Sequence, residues 1–340
     1  MKKYLSSGLL VICSFSIYAS ECITYIEQKN FKKALDECTK EASKDDNEAQ
    51  YYLGVMYHNG EGVVKDGQKA IFWYTKAAEQ GNPNAQYNLA VMYDEGDGIE
   101  QDTSKAVYWL IKAANQGYPK AQNNLAVKYY KGDSVEQDKQ KAAYLFSKAV
   151  EQGNSYAQYH LAVMYDKGDG IEQDKIKAAY LYTKAAEQGN SNAQNNLALM
   201  YNKDDGVEQD KLKALNLYTK AAEQANPDAC YNLAVMYDKG DGIKQDKQKA
   251  VYWYIKAAEH GHANAQYNLA HNYYSGEGVE PDKQKAAYWY TKAAEQGYLS
   301  AQYNLAIMYW KGDGIEQNKP LAHKYFQQAC DRGLDIACDK

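Results

Sequence analysis

The chain reads as an all-α solenoid of 36-residue helix-turn-helix repeats, on three observations. Alanine recurs from Ala49 through Ala85 and Ala121 to Ala337 at a step of 36 without one insertion, and Leu53 to Leu305 and Tyr57 to Tyr309 keep the same step. Each unit carries two stretches with apolar residues at helical spacing, separated by a glycine-bearing loop. Tyrosine accounts for 34 of 340 residues, a surplus of one large amphipathic side chain that a copied unit explains better than a varied globular core. Eight units of 36 fill 288 residues, from Asp46 to Gly333.

The remaining composition narrows the function classes. With 39 basic and 44 acidic residues the formal net charge is −5, so no basic surplus exists to neutralise phosphates, and a nucleic-acid binder is excluded. Hydrophobic residues at 45% argue against general disorder, while 24 glycines and 5 prolines are too few for collagen or a low-complexity tail. A mean hydropathy of −0.73 is low for a compact core.

The elements follow in chain order. Lys2 and Lys3 open a basic start, an apolar run extends from Leu9 to Ile17, and small Ala19 and Ser20 precede Glu21. This is the order of a secretory signal peptide over residues 1–20, cut after Ala19 or Ser20. The run is far shorter than the ~20 residues of a membrane span. Ile12 and Glu21 deny Cys13 and Cys22 a lipoprotein box. Loss of Lys2 and Lys3 takes the net charge from −5 to −7. A periplasmic or secreted soluble protein without stable membrane insertion is expected. Residues 21–45 read as N-terminal capping helices, with Phe31 to Glu41 as an extra second helix. Cys22 and Cys38 lie about equally far from the turn near Lys29–Asn30, so a disulfide across that hairpin is expected in an oxidising compartment. Unpaired helix cysteines are the alternative.

The second repeat shows the unit. Its helix A, about Asn84 to Asp94, places Ala85, Leu89, Met92 and Tyr93 on one face. Loop glycines end it, and Asp102 is a natural N-cap for helix B, about Thr103 to Gln116. Asp66, Asp138, Asp174, Asp210, Asp246, Asp282 and Asn318 repeat that cap. Ala106, Trp109, Leu110, Ala113 and Ala114 form the apolar face of helix B; the small pair permits close antiparallel packing, and Gly117 ends the helix. One hairpin has too little apolar surface to stand alone, so neighbours must build the core. The fifth unit departs from the pattern: Asp204 replaces a loop glycine and Ala225 the terminal glycine, as Ser134 replaces a loop glycine in the third. A kink or looser stacking near 204–226 is expected.

The pattern A-x-x-x-L-A/G-x-x-Y-x-x-G-x-G, continued by D-x-x-K-A and K-A-A-E-Q-G, resembles the Sel-one-like repeat, a relative of the tetratricopeptide repeat. Eight copies cover about residues 46–333, followed by a C-terminal stub at 334–340. The resemblance implies a right-handed α/α superhelix and a scaffold or adaptor role in bacterial envelope or host-contact proteins. Cys330 and Cys338, eight apart around Gly333, resemble the bridge within a repeat of the cysteine-rich Hcp-type relatives. Cys230 lacks such a partner, because position 222 is Ala, and is expected as a half-buried free thiol.

Enzyme chemistry finds no foothold. S-x-x-K, G-x-S-x-G, H-E-x-x-H and the phosphate-cradling glycine loops are missing, although some Hcp-type relatives carry a β-lactamase label. His260 and His262 are near each other without further ligands, and loops such as Asp94–Gly98 fail the calcium-loop spacing. No metal, cofactor or catalytic residue is expected, and the lysine series from Lys76 to Lys292, with Glu three residues on, reads as a solvated face. At ~100° per residue the side of helix A opposite the core carries Tyr51, Tyr87, Tyr159, Tyr231, Tyr267 and Tyr303, with Asn123 and Asn195 completing the row. Beside it run Val91, Val163 and Val235, and below them Asp94, Tyr130, Asp166, Asp238, Tyr274 and Trp310. By the tetratricopeptide resemblance this stripe lines a concave groove. A protein or peptide partner, from the envelope or a host, is expected to lie there on a monomer, with tyrosines as contacts and aspartates favouring a basic or polar segment. The alternatives are a repeated consensus that only covers neighbouring helices, a structural spacer, or weak β-lactam binding.

Overall fold

The computed structural model describes residues 20–339, so the expected signal peptide lies outside the described residues apart from Ser20. Among these residues there are eighteen α-helices, one short 3-10 turn at Asp335–Ala337 and no strand. The chain divides into two compact units, one ending at Gln137 and one beginning at Asp138. Within each unit every helix packs on the next in sequence, so the architecture is an all-α solenoid of paired helices.

The sixteen repeat helices are each thirteen residues long, and their ends explain this regularity. Helix A of repeat two spans Pro83–Glu95: Asn82 accepts the Ala85 amide at 3.0 Å, and Gly96 ends the helix at φ 72° with its amide on the Met92 carbonyl. The loop closes where the Asp102 amide donates to the Tyr93 carbonyl at 2.9 Å. The Asp102 carboxylate then caps helix B, Thr103–Asn115, through the Lys105 amide at 2.9 Å. Aspartate at the same place caps the helix B beginning at Gly67, Lys139, Lys175, Lys211, Lys247 and Lys283, and Asn318 does so at Lys319. Capping of this kind contributes about 1 kcal/mol per helix.

The core is the expected stripe. Ala85, Leu89, Met92, Ala106, Trp109, Leu110, Ala113 and Ala114 are buried. Tyr93 is only half-buried, and the Lys105 ammonium lies over its ring at 5.2 Å. The sequence gives little hint of a second device, a row of buried glutamines. Gln86 donates to the Ala78 carbonyl of the preceding helix B at 3.0 Å, and its own carbonyl accepts from Gln116 at 2.7 Å. Gln50, Gln194 and Gln266 make the same two bonds. Each thereby gives a second donor to a last-turn carbonyl that already accepts the amide three residues on, as Ala78 accepts Gly81 at 3.0 Å.

At the N-terminal end Glu21–Glu27 and Phe31–Ala42 form a hairpin turned at Lys29, whose φ is 56°. Ser20 caps the first helix and donates to the Glu41 carboxylate. Cys22–Cys38 and Cys330–Cys338 are both disulfides. Cys330 and Cys338 stand at the places that Ala294 and Gln302 hold one repeat earlier, so a covalent bond replaces the glutamine bond there. Cys230 also stands at a glutamine place; it is fully buried rather than half-buried, and burial pushes its thiol up to about 11. Among the described residues no helix is long and apolar enough to cross a membrane.

The kink expected near 204–226 does not occur in the helices. Asp204 and Ala225 take the left-handed conformation of the glycines they replace, at φ 60° and 59°. Ser191–Lys203, Lys211–Glu223 and Pro227–Lys239 keep their length, and Ala225 donates to the Ala222 carbonyl at 2.9 Å as Gly189 does to Ala186 at 3.0 Å. The cost is held as backbone strain, about 1–2 kcal/mol for a residue with a Cβ. Ala225→Gly is therefore expected to stabilise the chain by about 1 kcal/mol after glycine's larger unfolded-state entropy is subtracted. A higher urea midpoint at unchanged slope is the readout.

Candidate partner-binding face

The tyrosines of the helix A stripe are half-buried and held by neighbouring rings, those of helix B in all but Tyr87, which leans on the N-cap Tyr118 of the next helix A. In the first unit Tyr51 leans on Tyr74 at 6.0 Å, and Tyr87 packs on Tyr118 at 5.3 Å while its hydroxyl accepts from Asn124 at 3.4 Å. In the second unit Tyr159, Tyr231, Tyr267 and Tyr303 lie 5.7–6.1 Å from Tyr182, Tyr254, Tyr290 and Phe326. Burial raises the phenol pKa of Tyr51, Tyr87, Tyr159 and Tyr231, so these rings are neutral. Asn123 and Asn195 are buried, whereas Val91, Val163 and Val235 are half-buried beside the rings.

The aspartates of the stripe are already engaged. Asp166 accepts Lys175 at 2.6 Å, and that ammonium also reaches Asp205 of the next loop at 2.8 Å. Lys247 joins Asp238 to Glu277 in the same way, both at 2.8 Å. Lys283 binds Asp313 at 2.6 Å, where Tyr274 also donates at 2.8 Å. Each of these lysines opens a helix B, so the charge row ties one repeat to the next. Trp310 meets His323 edge-on at 5.2 Å under the Lys319 ammonium, and Tyr130 is half-buried with its carbonyl accepting from Gln137.

Two cavities open on this face. In the second unit Tyr303, Ile307, Trp310 and Phe326 line one of about 520 Å³. In the first unit one of about 300 Å³ has Val91, Leu110 and Val127 as an apolar wall and Asp94, Lys128 and Asp133 as its polar part. Lys128 stands where Met56, Met92, Met164, Met200, Met236 and Met308 fill the core, and only 5% of it is exposed. Its ammonium lies 2.7 Å from Asp94 and 3.1 Å from Asp133. Burial alone would lower its pKa, but the bonds to the two carboxylates outweigh that and raise it, so it is charged.

Tyr156, at the start of Ser155–Lys167, is 65% exposed, and a row of further exposed rings lies on helix B. Phe72 and Tyr108 in the first unit, and Tyr144, Tyr180, Tyr252 and Tyr288 in the second, project from the outer face of helix B; Tyr180 is 61% exposed. Each has a lysine four residues on over its ring, at 5.0–6.0 Å. The periodic signal for these rings was present in the sequence at the same step of 36.

Comparison with known proteins decides the family. The Sel1 repeat matches eight times in succession, over residues 47–82, 83–118, 119–154, 155–190, 191–226, 227–262, 263–298 and 299–334. The chain belongs to the Sel1 repeat family. Such repeats are generally non-catalytic scaffolds for protein–protein interaction. The chain is similar to a protective antigen present in uropathogenic Escherichia coli strains, with 33% identity over 94% of this chain and 78% of that one and a TM-score of 0.70. It is also similar to a Sel1 repeat protein from Oxalobacter formigenes, with 34% identity over 90% and 88% of the two chains and a TM-score of 0.67. No curated protein matches it. The two disulfides fit an oxidising compartment.

In this Sel1 chain the stripe holds one pH-sensitive cap. His262 replaces the capping asparagine before Ala263–Ser275: its Nδ1 accepts the Ala265 amide at 3.2 Å, its ring stacks on Tyr231 at 4.4 Å, and its Nε2 lies 3.5 Å from Asp228. Burial lowers its pKa against the opposing pull of Asp228. The folded chain thus binds this proton less readily than the unfolded one. Its stabilising share is complete above the ordinary histidine value of ~6.5 and is lost as the pH falls through the lower folded value. His262→Asn keeps the cap, so the difference in melting temperature between variant and parent is expected to grow in the variant's favour from pH 7.5 to pH 5.

Proposed function

We propose that the protein is an exported, non-catalytic scaffold that holds a protein or peptide segment along the helix A faces. The observation that carries this reading is the coincidence of both cavities with stripe residues: Tyr303 and Trp310 border one, and Val91 and Asp94 the other. Rings already fixed by their neighbours lose little side-chain freedom when a partner lands on them, which lowers the entropic cost of association. Because lysines occupy Asp166 and Asp238, the segment is held mainly by aromatic and aliphatic contact, with less preference for basic residues than the acidic stripe alone suggests.

The signal-peptide pattern and the two disulfides support a periplasmic or secreted location. The description of the Escherichia coli relative as a protective antigen supports a setting at the bacterial surface or in contact with a host. Tyr159→Ala combined with Tyr231→Ala tests the reading. A partner captured from envelope or host extract by the parent chain is expected to bind the double variant at least ~30-fold more weakly, since two interface tyrosines contribute about 2 kcal/mol or more together. Unchanged binding of every captured partner, with helicity intact, refutes the helix A face as the site. Turnover of a chromogenic β-lactam by the folded but not the denatured chain refutes the non-catalytic reading.

A further inference from the structure

We infer that the 300 Å³ cavity of the first unit is a side-chain pocket for an uncharged primary amide, that of a glutamine in an extended peptide. The inference rests on the helix A face as the binding surface and names what one pocket of it reads.

The pocket arises from two linked exchanges. Asp94 has two counterparts on helix A, Asp166 and Asp238, and in both of those repeats a lysine opening helix B bridges the aspartate to the loop acid of the next repeat: Lys175 joins Asp166 to Asp205, and Lys247 joins Asp238 to Glu277. At the corresponding place in repeat two stands Thr103. Asp94 and Asp133 would then lack a cation, and Lys128, in place of a core methionine, supplies it from inside. A surface charge has moved into the wall of the stack. The cavity opens beside the relocated ammonium, against Val91, Leu110 and Val127.

The chemistry of that space is specific. Asp94, Asp133, Lys128 and Lys131 around the pocket sum to zero charge, so neither sign is favoured. Lys128 has three donors and spends two of them on Asp94 and Asp133. Asp94 accepts Lys128 through Oδ1, which leaves Oδ2 able to accept, whereas Asp133 also receives the Ser134 hydroxyl at 3.0 Å. One donor and one acceptor therefore face a cavity walled by Val91, Leu110 and Val127. A primary amide on a methylene stem offers the complementary acceptor and donor together with apolar contact. A carboxylate would meet Asp94, an ammonium would meet Lys128, and an aliphatic group would leave the charged pair unmatched.

Full-length chain with isotope-labelled valine and leucine methyls is titrated with N-acetylglutamine N-methylamide, and separately with the glutamate, lysine and leucine counterparts. The glutamine probe is expected to shift the Val91, Leu110 and Val127 methyls saturably, and the other three to bind roughly tenfold or more weakly. Lys128→Met alone leaves two carboxylates without a cation, so Thr103→Lys with Lys128→Met, which rebuilds the bridge that Lys175 and Lys247 make, is the decisive variant. It is expected to melt no lower than the parent and to lose the response. The proposal is overturned if the leucine probe matches glutamine, if the folded double variant still responds, or if no probe shifts these methyls. Tyr159 and Tyr231 lie in the other unit, so failure of the helix A face shows as partner binding that survives their substitution, independently of this titration.

Discussion

Each helix B has to be tied to the helix A that follows it, and in repeat after repeat a buried glutamine of the second helix makes that tie to a last-turn carbonyl of the first. The amide of Gln86 takes up the Ala78 carbonyl, and Gln116 in turn takes up Gln86. A buried glutamine amide left without partners costs about 1–3 kcal/mol, so this bond fixes how closely each helix A lies against the helix B before it. The alanines at the crossings can touch only if that distance is kept. Where the pattern is broken, the break is visible: Arg332 stands in the place of the closing glutamine and binds Gly297 instead, and the Gln302 carbonyl oxygen is left buried without a partner.

Register is the second constraint. A strict step of 36 keeps every alanine, leucine and capping aspartate in phase, so one local solution is copied rather than reinvented. That is why the fold was legible in the sequence. Helix ends came within one or two residues, because aspartate caps and left-handed glycines are local signals. The failure at 204–226 is equally physical. Repeats on both sides hold Ala225 in a conformation it would not choose alone, and the stack's packing outweighs about 1–2 kcal/mol of local preference.

The face was less legible. Counting 100° per residue found which side of helix A looks away from the core, but it could not show that Tyr159 leans on Tyr182 or that Lys175 already holds Asp166. Both are contacts between helices, set by the packing of helix B and not by the period of helix A. The lysine at 128 was readable in principle. Six of the eight repeats carry methionine there, and a cation in a column of thioethers signals that the neighbouring column has changed too.

That pairing of columns bears on how such arrays can change length. Arrays of near-identical blocks gain and lose copies by unequal recombination, and most cuts in a uniform stack are harmless. Here Asp94 and Lys128 belong to different blocks, and Thr103 leaves Asp94 dependent on that cation from the next one. Loss of the block holding Lys128 would bring Met164 into its place and strand the anion of Asp94 beside a threonine. The junction between repeats two and three is thus a place where the chain has given up modularity, and a copy-number change there carries a penalty that the same event elsewhere in the array escapes.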